Sequence, residues 1–251
     1  MVKASLARSR EHAKELILAG KVTVDGKTAE KPAFDVTTEE VLLTEKEEAM
    51  VGRGGKKLFK ALTEFSINLY GKVCLDAGAS TGGFTEQMLK SGAAKVYAVD
   101  VGSDQLAESL KADLRVVNLE KTDIRDLNIS DKADFFSADV SFISLTQVLY
   151  HLGRLTTPEA RGVCLVKPQF EAGREYVGKK GVVKDKKVHI KVLSDIMDFA
   201  EKQGFLIKGL TFSPISGQNG NIEYLLYLGK SGKSTEIRPE ETVNAAWEEL
   251  K

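Results

Sequence analysis

Beyond Lys72 the chain is a succession of short apolar runs separated by helical stretches, and few folds accept that pattern. The runs are Val73–Asp76, Lys95–Asp100, Leu114–Asn118, Ala133–Ala138 and Gly162–Lys167. Helical periodicity marks Phe84–Ser91, Ser103–Lys111, Phe142–Leu152 and Lys186–Gln203 after most of them. A strand buried on both faces reads as a continuous apolar run, and a helix after it returns the chain to the same edge. The pattern predicts a doubly wound α/β sheet. Two further runs, Phe205–Phe212 and Ile222–Leu228, are joined by a Pro/Gly/Asn loop without a helix. They are expected to pair antiparallel, giving about seven strands.

The opening residues read differently. In ASLARSREHAKELILAG, residues 4–20, Ser9 can cap a helix from Arg10, Ala13, Leu16 and Ile17 recur at helical spacing, and Gly20 supplies the stop. Val22 and Val24 then alternate with polar residues ahead of Asp25-Gly26, a hairpin turn signal. The expected organisation is a small α+β unit over 1–48, a linking segment over 49–71, the sheet domain over 72–230 and a charged helical tail over 231–251. With 42% apolar residues among 251, a substantial core can be buried. Basic and acidic residues balance at 36 each, so only local clusters can argue for a nucleic-acid partner. No apolar run reaches the roughly 18 residues that span a bilayer, and no signal-peptide pattern is visible, so a cytoplasmic protein is expected. Cys74 and Cys164 sit in strand-like runs and are expected as buried free thiols. His12, His151 and His189 make no ligand spacing, and no metal is expected.

The first sheet strand ends in VCLDAGASTGGFT, residues 73–85. In an open α/β sheet, ligands bind beyond the carboxyl ends of the strands, where strand order reverses. The turn has Gly78, Gly82 and Gly83, which is neither GxGxxG nor a P-loop, and no lysine follows to meet phosphate. Such a loop suits a ligand that needs close backbone approach without strong anion binding; S-adenosylmethionine, with its positive sulfonium, is one. Asp100 ends the next strand, where an acid can hold ribose hydroxyls, and Asp76 would lie near the amino-acid portion of the ligand, acting through water. The glycines can also serve a tight strand-to-helix turn and nothing more.

Four further polar residues stand at the edges of apolar segments: Lys57 in VGRGGKKL, Asp139 in ADVSF, Lys167 in CLVKP and Glu223 in GNIEY. Taken with DAGASTGGFT, YAVDVG, DVSFISL and LVKPQFEAGRE, these pieces resemble the hemolysin-A-like, TlyA-type family over nearly the whole chain. Its members resemble FtsJ-type ribosomal RNA 2′-O-methyltransferases with an S4 RNA-binding domain in front. The resemblance implies a Rossmann-like class I methyltransferase sheet, its last strand antiparallel, behind an N-terminally short S4-like domain. It implies S-adenosylmethionine as cofactor and a Lys-Asp-Lys-Glu tetrad at Lys57, Asp139, Lys167 and Glu223, with Lys56 as an alternative first lysine. It places the cofactor on Asp76, Gly78, Ser80, Thr81, Gly82, Gly83, Phe84, Thr85 and Asp100, with Asp123 on the adenine side. The implied substrate is ribosomal RNA, with cytidine ribose as target.

A ribose hydroxyl must lose its proton as it attacks a sulfonium methyl, and a lysine can accept that proton once burial and nearby positive charge favour its neutral form. Lys167 is the expected base, positioned by Asp139, with Lys57 and Glu223 orienting the ribose. Between Arg161 and Lys191 nine Lys/Arg stand against three Asp/Glu, and residues 51–60 hold four basic residues and no acid. Arg53, Arg174, Lys179 and Lys180 are therefore expected to meet phosphates, with Arg8, Arg10, Lys14 and Lys21 as the S4-like surface. Each cluster can equally be a solvated face. With no row of aromatics for base stacking, structured RNA or ribosomal subunits are the expected partner, and the loop 168–183 is expected to order on RNA. Two rival readings are an RNA-binding module without chemistry and a membrane-lytic protein. The complete tetrad speaks against the first, and the lack of a membrane segment or an apolar-basic amphipathic helix against the second.

Overall fold

The computed structural model describes residues 1, 7, 9–18, 20–24, 27–29, 31–32, 41–43 and 51–250. Two units divide the chain, Met1–Met50 and Val51–Lys251. In the first, helix α1 (Arg10–Leu18) stops where its glycine predicts. Lys21 N–H donates to the Leu16 carbonyl and Gly20 N–H to that of Ile17, the paired bonds of a Schellman stop, with Gly20 at φ +70°. Strand β1 (Val22–Val24) pairs antiparallel with β2 (Lys27–Thr28) on one side and β3 (Val41–Leu43) on the other. Val24 opposite Lys27 brackets a two-residue connection; the turn residues Asp25 and Gly26 lie outside the described residues. Leu16, Val22 and Val24 pack with Ala7 and Ala29 as a small core.

The second unit is a seven-stranded sheet. Its strands are β4 (Val73–Ala77), β5 (Lys95–Val99), β6 (Val116–Leu119), β7 (Ala133–Ala138), β8 (Thr156–Val166), β9 (Leu206–Phe212) and β10 (Tyr224–Gly229), in the order β6-β5-β4-β7-β8-β10-β9. The first five run parallel, and β10 lies antiparallel between β8 and β9. Order reverses at β4, whose neighbours are β5 and β7, so a crevice opens above its carboxyl end. Helices α2 (Gly54–Glu64), α3 (Gly83–Lys90) and the short α4 (Glu108–Lys111) supply one apolar layer, built around Leu58, Phe84, Met88 and Leu110. Helices α5 (Leu149–Leu155), α7 (Lys186–Lys202) and α8 (Pro239–Leu250) supply the other, with Leu152, Leu193 and Val243. Cys74 and Cys164 are free and buried. Among the described residues no helix is long and apolar enough to cross a membrane, and no cluster could hold a metal ion.

Three elements depart from their expected bounds by more than two residues. Strand β8 begins at Thr156 rather than Gly162, because the polar stretch from Thr156 continues the ladder against Ala133 without contributing an apolar run. The helix expected over Ser103–Lys111 keeps only its last turn. Glu120 Oε1 accepts the amides of Gln105 (2.6 Å) and Leu106 (3.0 Å), and Asp104 has φ +55°, so the preceding residues cannot wind. The helix expected over Phe142–Leu152 starts at Leu149, after a 3₁₀ turn at Leu145–Gln147. Phe142, at φ +66°, cannot itself open a helix.

At Gly162, in the middle of β8, an added Cβ would overlap the Phe136 ring on the neighbouring strand. Gly162→Ala should therefore overpack the sheet and lower unfolding stability by about 1–3 kcal/mol, measured by urea denaturation.

Candidate active site

The apolar strands deliver their first polar residues to one edge, and there the tetrad residues meet. Lys167 follows β8, Asp139 follows β7, Glu223 precedes the antiparallel β10, and Lys57 lies in the first turn of α2. Lys167 Nζ stands 2.6 Å from Asp139 Oδ1 and donates to the Val140 carbonyl and to Ser141 Oγ, both at 2.9 Å. Lys57 Nζ donates to Glu223 Oε2 at 2.6 Å and lies 3.9 Å from Asp139 Oδ2. The four charges thus alternate as Lys167, Asp139, Lys57, Glu223. All but Asp139 are buried in spite of their charge. Lys56 is exposed, which leaves Lys57 as the lysine of the cluster.

Glycines let this cluster assemble. A Cβ on Gly83 would lie 3.0 Å from the Gly55 amide nitrogen, so the starts of α2 and α3 approach backbone to backbone, and Val51 N–H donates to Glu86 Oε2 at 2.8 Å. A Cβ on Gly217 would overlap the Glu223 carboxylate. At Gly78, φ +83°, it would lie 2.7 Å from the Asp139 carbonyl oxygen. Gly82 serves the packing behind the loop instead, where its missing side chain makes room for Leu106 and Leu110.

A cleft of about 320 Å³ opens over this edge, walled on one side by Gly78–Thr81 with Gly83 and Phe84, and on the other by Ser141, Phe142, Gln169 and Phe170. All four tetrad residues and Arg53 line it. Ser141, Phe142, Gln169, Phe170 and the 215–218 segment were invisible to sequence reasoning as site residues. The positive φ of exposed Phe142, a rare backbone for an aromatic, is a signal only the structure carries. Phe142 and Phe170 stand 5.2 Å apart as a tilted pair at the cleft.

Asp76, Thr85, Asp100 and Asp123 do not line this cleft. Asp76 and Thr85 are fully buried, and Thr85 Oγ1 and Ser137 Oγ each donate to the Asp76 carboxylate at 2.7 Å. Asp100 accepts the Ser80 and Gly102 amides, both at 2.8 Å, and so fixes the loop in the shape that lines the cleft. Asp123 is taken by Arg125, with contacts of 2.6–3.0 Å, and the guanidinium holds its carboxyl below the ordinary range. In the loop after β8, Glu171 accepts Ser144 Oγ at 2.6 Å and the Leu145 amide at 2.9 Å, and Asn221 Nδ2 donates to the Gly181 carbonyl at 2.8 Å.

The glycine loop fits S-adenosylmethionine in its chemistry. Residues 76–85 include no cation, and acids close both β4 and β5, an environment for a sulfonium rather than a phosphate. Of the expected RNA contacts, Arg53, Arg174, Lys179 and Lys180 are exposed and make no ion pair among the described residues. Arg10 and Lys14 are exposed on α1, Lys21 is half-buried, and Arg8 lies outside the described residues.

Burial pushes the Asp76 carboxyl from 3.8 up to about 6, against the two hydroxyls that hold it down. The folded chain therefore binds this proton more tightly than the unfolded one, and the residue's contribution to stability falls as pH rises from about 4 to about 6. Asp76→Asn should gain on the parent protein by about 2 kcal/mol between pH 4 and pH 7, read from urea midpoints at both ends. An unchanged difference would contradict the assignment.

The chain matches the FtsJ-like methyltransferase family over residues 50–230 and the S4 domain over residues 1–42. It is 48% identical to the 16S/23S rRNA (cytidine-2′-O)-methyltransferase TlyA of Mycobacterium tuberculosis, over 91% of this chain and 87% of the relative. It is 40% identical to Hemolysin A of Brachyspira hyodysenteriae, over 87% of this chain and 93% of the relative. The sheet also resembles a crystal structure of an S-adenosylmethionine dependent methyltransferase from Mesorhizobium loti. That likeness, at 15% identity and a TM-score of 0.52 over 71% of this chain and 100% of the other, is one of fold. With the sheet, the switch-point cleft and these matches together, the chain belongs to the FtsJ-like methyltransferase family, in its TlyA-type branch with an S4 domain in front.

Proposed function

We propose that the protein methylates a ribose 2′-hydroxyl of ribosomal RNA, with cytidine as target, using S-adenosylmethionine. The observation that carries this reading is the buried row of alternating charges beside a phosphate-averse glycine loop. The relative named TlyA carries the cytidine-2′-O activity in its name.

S-adenosylmethionine, when bound, supplies the electrophilic methyl and a positive sulfonium. It would be held along Gly78–Thr81 and Phe84, with Asp100 setting the loop. Lys167 is the base. Of its three partners, Asp139 and the Val140 carbonyl only accept, whereas the Ser141 hydroxyl can also donate. The same cage therefore suits an ammonium and a neutral amine whose lone pair faces Ser141. A substrate hydroxyl taking the place of Ser141 at that lone pair would give its proton to Lys167 as the oxygen–methyl bond forms and the sulfur–methyl bond breaks. Asp139 holds Lys167 and Lys57 apart in fixed positions, and Lys57 with Glu223 offers one donor and one acceptor to the ribose. Alignment of this kind can lower a barrier by about 7–11 kcal/mol at best. Arg53, Arg174, Lys179 and Lys180 would meet phosphates, and on the S4 unit Arg8, Arg10, Lys14 and Lys21 would contact RNA.

The test is transfer of labelled methyl from S-adenosylmethionine to purified ribosomal subunits. Lys167→Ala should lower the rate by about 10²–10⁴-fold or more while cofactor affinity, measured by calorimetry, stays within error. Transfer that persists at the parent rate would remove Lys167 from the mechanism. Absence of RNA labelling by the parent protein would remove the reading.

A further inference from the structure

A second cleft of about 360 Å³ adjoins the first and has no part in the chemistry derived above. Its lining is Gln169, Phe170, Gly173, Arg174 and Val177, and Gln169 and Phe170 also wall the tetrad cleft. The two compartments therefore share one partition. That partition stands close to the reacting group, with Lys167 Nζ 5.7 Å from the centre of the Phe170 ring.

The partition is fixed. Short helix α6 (Pro168–Glu171) carries Gln169 and Phe170 and is pinned through Glu171 to Ser144 and Leu145 on the far side of the cleft. Burial raises the Glu171 carboxyl from its ordinary range, against those two donors. At the rim, Gly173 has φ +81°, a backbone that a side chain would strain. The second cleft is thus preformed.

Its chemistry is that of a nucleotide site. Phe170 offers a ring face, Arg174 an exposed guanidinium without an ion pair among the described residues, and Gln169 a carboxamide. Gln169 Oε1 is sealed from solvent and accepts no hydrogen bond among the described residues, a state that costs free energy until a donor arrives. Its terminal torsion is soft, so the amide can turn this acceptor toward the cleft. The cofactor is not the occupant: its loop follows β4, whereas this cleft follows β8, and β7 lies between them in the sheet.

We propose that the second cleft holds the ribonucleotide directly next in sequence to the one methylated, with its base against Phe170 and Gln169 and its phosphate on Arg174. This rests on the RNA methyltransferase reading above. A target ribose seated at Lys167 has its neighbour within reach across the partition. Stacking on an aromatic ring with a cation on the phosphate is how single-stranded nucleotides are held without sequence readout. The cleft thus fits a stretch of at least two unpaired nucleotides, not the face of an intact duplex.

Both native thiols are buried, so Val177→Cys can be labelled selectively with an azidophenacyl photo-crosslinker on the full-length protein. Purified ribosomal subunits are the probe, with the methylated nucleotide mapped first using the parent protein. Irradiation should crosslink the variant to the nucleotide immediately 5′ or 3′ of the methylated one, as read by primer extension. In parallel, Arg174→Ala should raise KM for subunits about tenfold with kcat and cofactor affinity unchanged, a loss of the size expected for one stacked, phosphate-contacted nucleotide. Crosslinks only to ribosomal protein or to RNA distant from the methylated position would overturn the proposal, as would an Arg174→Ala effect confined to kcat. If the parent protein labels no RNA, both this assignment and the reading beneath it fail. Methylation with crosslinks elsewhere leaves the reading standing and sinks the second cleft alone.

Discussion

The second unit is organised around a carboxylate kept from water. Asp76 sits at the end of the strand where sheet order reverses, and its two oxygens are claimed by Ser137 from β7 and Thr85 from α3. A single side chain thereby ties together the strand before the glycine turn, the helix after it and the strand that brings in Asp139. Burial makes the charged form of Asp76 costly, yet the alternative, an unsatisfied acid at the switch point, would be worse. The glycine loop keeps its shape because both of its ends are held, one by this carboxylate and the other by Asp100 bound to the Ser80 amide.

The tetrad repeats this logic with more charge. Two ammonium groups and two carboxylates share a nearly dry edge, and each lies against opposite sign. Such clusters add little to net stability, since desolvation offsets most of the attraction, but removing one member strands a partner. The arrangement is therefore better understood as a positioning device than as a source of stability. It gives Lys167 a cage that accommodates either protonation state, and it gives Glu223 a seat that exists only because residue 217 has no side chain.

Much of this was legible in the chain. Seven strands, their alternation with helices and the antiparallel final pair follow from apolar runs and turn residues, and the strand-end positions brought Asp139, Lys167 and Glu223 to one edge. Lys57 could be named only by resemblance, because Lys56 beside it has the same chemistry; the helical rotation of α2 separates them by burial. Sequence could not foresee that Glu120, far along the chain, would unwind the segment before α4, or that β8 would extend through polar residues. Nor could it tell the three loop glycines apart. Gly78 yields to the Asp139 backbone, Gly82 to two leucines and Gly83 to α2, and each of these neighbours is distant in sequence. Nor could it foresee that Asp76 would bond hydroxyls on the next strand and on α3, since a strand-end acid reads alike in either setting.

The placement of β10 has a consequence for the order in which the protein becomes competent during synthesis. This strand pairs with β8 through Tyr224 opposite Val166 and with β9 through Tyr224 opposite Phe212, so Glu223 meets Lys57 only when the last strand has slid between two earlier ones. A chain emerging from its amino end makes the S4 unit, the glycine loop, Lys57, Asp139 and Lys167 well before it makes Glu223. The nascent protein thus possesses three of the four clustered charges while the fourth is still unmade. A slip of one residue at insertion would turn Glu223 to the opposite face of the sheet. Among the four clustered charges, Glu223 is thus both the last to be made and the one whose placement depends on the final hairpin.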